Sequence, residues 1–212
     1  MRIGILGAGL MGGKLGALFA RAGHDVTFSY ARSMDKLELL AKEAGANANA
    51  GTPAEAARDA HVILLAVHWS RMDNVLAQAG NLAGKTVVSC SLPMTDDDTA
   101  LAVAHTYSGA EALADKIPDA RVVSAFSTTP SEVLFGVFEG KDKTPRPTLV
   151  YCGNDARSKR KVAGLISDLG FEPLDVGELQ SARYIEPFSL LIARIAYERE
   201  GGPEVSYRIQ RL

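Results

Sequence analysis

The sequence predicts an α/β protein: a doubly wound, mainly parallel sheet with a small C-terminal helical elaboration. Three observations predict it. A short apolar run, Arg2 to Leu6, ends in a cluster of glycines and passes straight into an alanine- and leucine-rich helix, Leu10 to Ala22. Apolar runs of strand length then alternate with helical patterns along most of the chain, as right-handed βαβ units in one sheet require. The run from His61 to Val67 holds Val-Ile-Leu-Leu-Ala-Val without a polar interruption, which suits a strand buried on both faces.

The remaining elements follow in order. Gly23 stops the first helix, in the position where a glycine tolerates a left-handed turn. Asp25 to Ser29 reads as the second strand, and Met34 to Ala44 has helical spacing, with Leu37, Leu40 and Ala41 on one side. Thr52-Pro53-Ala54-Glu55 is a helix start, with a capping hydroxyl, proline at the first position and an acid in the first turn. Beyond His61–Val67, Val75 to Ala83 reads as a helix, Thr86 to Ser91 as a buried strand, Gly109 to Lys116 as a helix and Arg121 to Ala125 as a strand. Phe126 to Pro147 contains Pro130, Pro145 and Pro147 and a Gly-Lys-Asp-Lys patch, so it reads as a long excursion with one helical turn around Ser131 to Phe138. Thr148 to Cys152 returns to a strand, Asp155 to Leu169 is an amphipathic helix closed by Gly170, and Phe171 to Val176 is a last strand. A helix from Leu179 to Glu198 and an irregular tail, Gly201 to Leu212, complete the chain.

Composition narrows the function classes. Of 212 residues, 47% are hydrophobic and 23% charged, the balance of an ordinary globular protein. The net charge of -2, from 23 basic and 25 acidic residues, argues against a nucleic-acid or anionic-membrane partner, which would call for a basic excess. Cys90 and Cys152 both lie in strand-like runs. They read as buried free thiols in a reducing cytosol, since a disulfide framework or zinc site needs more thiols at closer spacing. The first apolar run is too short for a signal peptide and no run approaches the roughly 20 residues of a membrane span, so a cytoplasmic location is expected. His24, His61 and His105 show no metal-ligand spacing. Asp96-Asp97-Asp98 reads as a solvated loop, and no metal is expected.

The chemistry begins at Gly7-Ala8-Gly9-Leu10-Met11-Gly12, which matches G-x-G-x-x-G. Its place, directly after the first strand and opening the first helix, makes it the dinucleotide-binding turn of a Rossmann unit. Gly7 permits the tight turn, Gly9 lets the backbone approach a pyrophosphate, and Gly12 lets helix and strand pack closely. The free amides at the helix start then face the phosphate charge. The end of the second strand selects the cofactor. An NAD site usually places Asp or Glu there, whereas this chain reads Ser29-Tyr30-Ala31-Arg32-Ser33, with no carboxylate before Asp35. Hydroxyls and a guanidinium suit a 2′-phosphate, so NADP(H) is favoured over NAD(H). The alternative is that Arg32 is only a solvated loop residue.

Ligands of such sheets lie beyond the carboxyl ends of the strands. Ala66, Val67, His68 and Trp69 therefore enter as cofactor contacts, with Trp69 as a wall of the pocket. Ala125, Phe126, Ser127 and Thr128 form the corresponding segment after a later strand, and Ser127 to Thr129 present three hydroxyls that could orient a polar ring. His68, Ser127 and Thr128 are the candidate catalytic residues. Histidine as a residue type suits proton transfer at neutral pH, so His68 could serve as a general acid, or could simply be a hydrogen-bonded loop imidazole. The organisation that results is a dinucleotide-binding domain over residues 1–150, with a strand-helix extension over 151–212 that completes an acceptor pocket.

Beyond these local readings the sequence resembles the coenzyme F420-dependent NADP oxidoreductases and their bacterial relatives. The carrying residues are Met1 to Gly9 and Ala22-Gly23-His24-Asp25-Val26, then Trp69, Val122 to Ala125 and Thr128 to Pro130. Cys152 to Asp155, Leu174 to Gly177 and Ala182-Arg183-Tyr184-Ile185-Glu186 continue the likeness to nearly the end of the chain. The resemblance implies hydride exchange between NADP(H) and a deazaflavin (coenzyme F420), FMN, FAD or a similar small acceptor, with that ring beside Ser124 to Pro130. It also implies a homodimer paired through Leu179 to Glu198, and a distant kinship with the cytosolic domain of STEAP metalloreductases, where electrons pass through flavin. The chain departs from the family in two places. Ser127 stands where deazaflavin reductases usually carry histidine, and the glycine turn lacks their longer Gly-Gly-Thr-Gly form. His68, where relatives often have proline, could compensate for the missing histidine. Two other readings stay open: a redox sensor that binds NADP(H) without turnover, and a small carbonyl or imine reductase. The latter usually adds a large helical substrate domain, for which about 30 C-terminal residues are expected to be too few.

Overall fold

Eight strands hydrogen-bond into one sheet in this computed structural model, which covers residues 1–212. They are β1 (Arg2–Leu6), β2 (Asp25–Ser29), β3 (Ala48–Ala50), β4 (Val62–Leu65), β5 (Thr86–Ser89), β6 (Arg121–Ala125), β7 (Thr148–Gly153) and β8 (Glu172–Asp175). Their spatial order is β3-β2-β1-β4-β5-β6-β7-β8. Every neighbouring pair is parallel except β6 with β7. The connection reverses direction across the sheet between β1 and β4, and the crevice opened by such a switch is where ligands of this architecture bind.

The helices are α1 (Leu10–Arg21), α2 (Met34–Ala44), α3 (Pro53–Arg58), α4 (Met72–Ala79), α5 (Gly109–Lys116), α6 (Leu134–Glu139), α7 (Ala156–Asp168) and α8 (Ala182–Glu198). They divide between the two faces. Leu15 of α1, Leu37 of α2, Leu134 of α6 and Val162 of α7 belong to one core. Ala56 of α3, Val75 of α4, Leu113 of α5 and Ile185 of α8 belong to the other. The strands feed both: Val62 and Leu64 of β4 point to the first core, Ile63 and Leu65 to the second. Alternation of side chains along a strand buried on both faces is why its sequence is uninterruptedly apolar.

Side-chain caps set half of the helix starts. Ser33 caps α2, Thr52 and Glu55 form a reciprocal capping box at α3, Ser108 caps α5 and Asp155 caps α7. The α/β class and the mainly parallel sheet are as the sequence predicts, with differences in detail. β3 is a three-residue edge strand of Ala-Asn-Ala, too short and too weakly apolar to stand out in the sequence. A 3-10 turn, Trp69–Arg71, precedes α4, which starts earlier than its apolar pattern and stops at Gly80, where φ is +75°. The boundary expected at residue 150 falls inside β7. No helix is long and apolar enough to cross a membrane.

Two contacts fix α8 against the sheet. Glu186, 2% exposed, accepts hydrogen bonds from the backbone N–H groups of Gly109 (2.8 Å) and Ala110 (2.9 Å), so it caps α5 from another helix. Burial pushes its carboxyl up to about 7, against the pull of those two donors, and the nearby Glu111 adds to the rise. Arg183 forks onto both oxygens of Glu111 at 2.9 and 2.7 Å and holds that carboxyl below its usual range. The tail is irregular but docked. Tyr207 accepts from the Thr148 N–H through its carbonyl (2.8 Å), and its ring lies edge-on to Phe188 of α8.

Candidate functional site

The turn after β1 is held by backbone alone. The N–H groups of Gly7 and Ala8 donate to the carbonyls of Ser29 (3.1 Å) and Tyr30 (3.3 Å), which ties the turn to the end of β2. Gly7 adopts φ +111°, and a Cβ there would strike the Ala66 carbonyl. A Cβ on Gly12 would strike the Gly7 carbonyl oxygen and come within 3.0 Å of the Ala66 Cβ. Gly9 is different, because a Cβ built there meets no protein atom within 4 Å. Packing therefore explains Gly7 and Gly12 but leaves Gly9 open toward the crevice. No side chain caps α1, so its first amides are available to an anion.

A cavity of about 1160 Å³ runs from this turn across the ends of β2 and β4. Gly7 to Leu10, Tyr30, Arg32, Ser33, Lys36 and Arg71 are among its lining residues, and no Asp or Glu lines it. Tyr30 holds φ +58°, and its hydroxyl donates to Asn74 Oδ1 of α4 at 2.7 Å, which braces one wall against the other. Lys36 and Arg71 lie outside the sequence expectation. Lys36, one turn into α2 from Ser33, could have been found from its helical register. Arg71 carries no local signal.

A second cavity, about 520 Å³, lies beyond β5 and β6 and is walled by α8. Leu92, Met94, Ser127, Ser131, Ser189 and Tyr197 give its character, apolar with convergent hydroxyls. It shares Gly9, Leu10, Ala66, Val67 and His68 with the first cavity, so the two meet at the ends of β1 and β4. The Ser189 hydroxyl donates to Ile185 O (2.8 Å) and lies 3.1 Å from Ser127 Oγ. Lys14 Nζ donates to the Ser131 carbonyl (3.2 Å) and hydroxyl (3.0 Å), and Tyr197 donates to Glu132 at 2.8 Å. Burial, reinforced by Glu132, pushes the Tyr197 phenol up to about 12. Cys90 also reaches this cavity, but burial pushes its thiol up to about 12, so no thiolate is offered.

His68 stands where the cavities join, with both ring nitrogens engaged. Nε2 lies 2.9 Å from Asp98 Oδ1 and Nδ1 lies 2.8 Å from Ser70 Oγ. Asp97, next in the acidic run, accepts from Thr95 and Thr99. The run thus builds its own loop and latches it to His68.

Five expected contacts line neither cavity. Ser29 is fully buried and donates to the Ile5 carbonyl (2.7 Å), because strand alternation turns it into the sheet. Trp69 is half-buried against the α3–α4 core. Ala125 and Phe126 are fully buried, and Phe126, at φ +70°, packs edge-on against Phe19. Thr128, 1% exposed, bonds through its hydroxyl to the Tyr207 hydroxyl at 2.7 Å. Sequence position put these residues near a strand end; their side-chain directions take them into the core.

Comparison with known proteins follows the same division. Residues 2–93 match the family of coenzyme F420-dependent NADP oxidoreductases. Over its full length the chain superposes on a candidate F420-dependent NADP reductase from Arthrobacter sp. FB24, with a TM-score of 0.86, 25% identity and 100% coverage of both chains. The chain resembles the coenzyme F420-dependent NADP oxidoreductases, and the family match covers the segment from β1 to just past β5. A hypothetical protein from Sinorhizobium meliloti is also similar, with a TM-score of 0.76, 26% identity and coverage of 99% of this chain and 96% of that one. Rat metalloreductase STEAP3 is 31% identical over 136 residues, which are 64% of this chain and 26% of STEAP3. The similarity thus spans about a quarter of that relative's length. A reductive aminase from Aspergillus terreus, solved with NADPH, shares the fold, with a TM-score of 0.66 and 21% identity over 91% of this chain and 60% of that one. The matched residues include the glycine turn and His68. Ser127, Ser131 and the α8 wall of the second cavity lie outside them.

Proposed function

We propose that the chain binds NADP(H) across the carboxyl edge of its sheet and exchanges a hydride between the nicotinamide and a flat acceptor ring, that of coenzyme F420, FMN or FAD. The observation that carries this reading is the junction of two cavities at Gly9, Leu10, Ala66, Val67 and His68. One is long, cationic and served by the start of α1; the other is compact, apolar and hydroxyl-lined. The glycine turn fits the cofactor's pyrophosphate, since Gly9 keeps clear the space that a side chain would fill. Arg32, Ser33 and Lys36 line the end that the ribose phosphate would occupy.

The reduced nicotinamide supplies the hydride, and any further proton the acceptor needs comes from water. The protein's part is to hold two rings face to face and shield the space between them from water, leaving the acceptor's polar edge in reach of solvent, which demands positioning more than acid-base groups. Leu92, Met94 and Ile192 exclude water, while Ser127, Ser131 and Ser189 can orient the polar edge of a ring. A second copy of this chain is the partner we propose for α8, whose Tyr184, Leu191 and Ile195 are exposed on one side.

Steady-state NADPH oxidation with coenzyme F420, FMN, FAD, ferric chelates and quinones as acceptors tests the reading. Turnover with a deazaflavin or flavin is expected. Tight NADPH binding with no turnover on any acceptor would favour a redox sensor and end the proposal.

A further inference from the structure

Arg32 and Lys36 line the long cavity from the β2–α2 side. Arg71 lines the same cavity from the turn between β4 and α4, across the switch crevice. None of these three cations enters an ion pair. Arg71 is also poorly placed for the fold. It sits at the start of α4, where the helix dipole disfavours positive charge. Asp73, the acid of that first turn, is bonded instead to Lys116 at 2.6 Å. A guanidinium left exposed at the positive end of a helix, in a cavity without a carboxylate, has a role that folding does not explain.

The walls bearing these cations are braced by the Tyr30–Asn74 hydrogen bond. We propose that Arg71 is a specificity-determining residue for the 2′-phosphate of NADP(H), engaging it from the wall opposite Arg32 and Lys36. This rests on the NADP(H) reading above. A phosphate held from two walls neutralises cations that would otherwise face one another. A cofactor lacking that phosphate leaves them unpaired, so the arrangement rejects NAD(H) as well as attracting NADP(H). The planar fork of Arg71 suits a phosphate better than a point charge would.

The test is calorimetric binding of NADPH, NADH, 2′,5′-ADP and 5′-AMP to the wild type and to Arg71→Ala, Arg71→Lys and Arg32→Ala. Arg71→Ala should weaken NADPH and 2′,5′-ADP by about 10- to 100-fold, the loss typical of a charge-assisted hydrogen bond. NADH and 5′-AMP should weaken by no more than about threefold, as for a solvent-screened charge. Arg71→Lys should fall between. Equal losses for phosphorylated and unphosphorylated ligands would overturn the role of Arg71 while leaving NADP(H) binding intact. A wild type that shows no preference for NADPH over NADH would instead overturn the reading beneath it. Because Arg71 is exposed, unliganded Arg71→Ala should melt with the wild type. If it does not, Arg71→Gln must show the same ligand pattern for the inference to stand.

Discussion

The glycine turn permits an experiment that separates packing from ligand binding at two positions three residues apart. Gly9 has extended backbone angles, φ -80° and ψ -157°, open to any residue, and its Cβ would meet nothing within 4 Å. Alanine there reduces the entropy of the unfolded chain but is a poorer helix cap than glycine. These effects oppose one another, so stability should stay within about 1 kcal/mol of the wild type. For a chain of this size that is a melting temperature within about 2–4 °C. Alanine at Gly12 drives its Cβ into the Gly7 carbonyl, a backbone atom that cannot swing aside. The helix must move from the sheet, at a cost near the upper end of overpacking, about 3 kcal/mol, or about 6–12 °C. NADPH at about 100 times its dissociation constant adds about 2.7 kcal/mol to the wild type, or about 5–11 °C. Gly9→Ala should lose most of that shift while its unliganded melting temperature barely moves; Gly12→Ala should lose the baseline itself. Thermal melting with and without NADPH reads both. A Gly9→Ala protein that kept the full NADPH shift would refute the placement of the pyrophosphate at this turn.

With both ring nitrogens of His68 engaged, His68→Ala should change kcat by less than about tenfold across pH and act mainly on KM through the loosened loop. A fall of about 10²-fold or more with a flattened pH profile would restore a general-acid role. Glu186 is expected to make stability fall as pH rises from about 4.5 to about 7. Its folded pKa is raised, so the folded state keeps a proton the unfolded state has lost, and that contribution disappears as pH passes the folded value. Glu186→Gln should remove this slope while costing about 1–3 kcal/mol, because its amide group must face an N–H of α5. Denaturant unfolding of both proteins across that window checks it, and a constant difference between them would contradict the shift. Leu191→Glu with Ile195→Glu should convert the proposed dimer to a monomer in light scattering, without changing NADPH affinity; an unchanged mass would exclude α8 as the interface.

What was legible in the sequence is what local chemistry determines. The turn at Gly7–Gly12, the strand at His61–Val67 and the cap at Thr52 are encoded within a few residues of where they act. β3 was missed because three residues of Ala-Asn-Ala carry neither period nor apolarity. Ser29 and Thr128 look like free hydroxyls in the sequence because position along a strand end is local, whereas the partner of each hydroxyl is remote. Thr128 meets Tyr207, 79 residues away, in a tail that reads as irregular. Glu186 has no local partner in the sequence, since it caps α5 from 76 and 77 residues away.

The same distinction separates the two halves of the proposed site. The dinucleotide half is drawn from turns that follow consecutive strands, and it falls within the family match over residues 2–93. The acceptor half is assembled from the β6 turn and from α8, with Ser127 and Ser189 brought within 3.1 Å across 62 residues. Small hydroxyls and aliphatic side chains at that spacing have no pattern in a linear sequence. Their convergence follows from the antiparallel β6–β7 pair, which sends the chain back along the sheet, and from the Glu186 and Arg183 contacts that hold α8 over it. In the proposed site, cofactor choice would therefore rest on the β2 and β4 turns and acceptor choice on the β6 turn and α8, the two meeting at Gly9 and Leu10. The proposal expects substitutions on the α8 face of the second cavity to change acceptor preference without changing NADPH affinity.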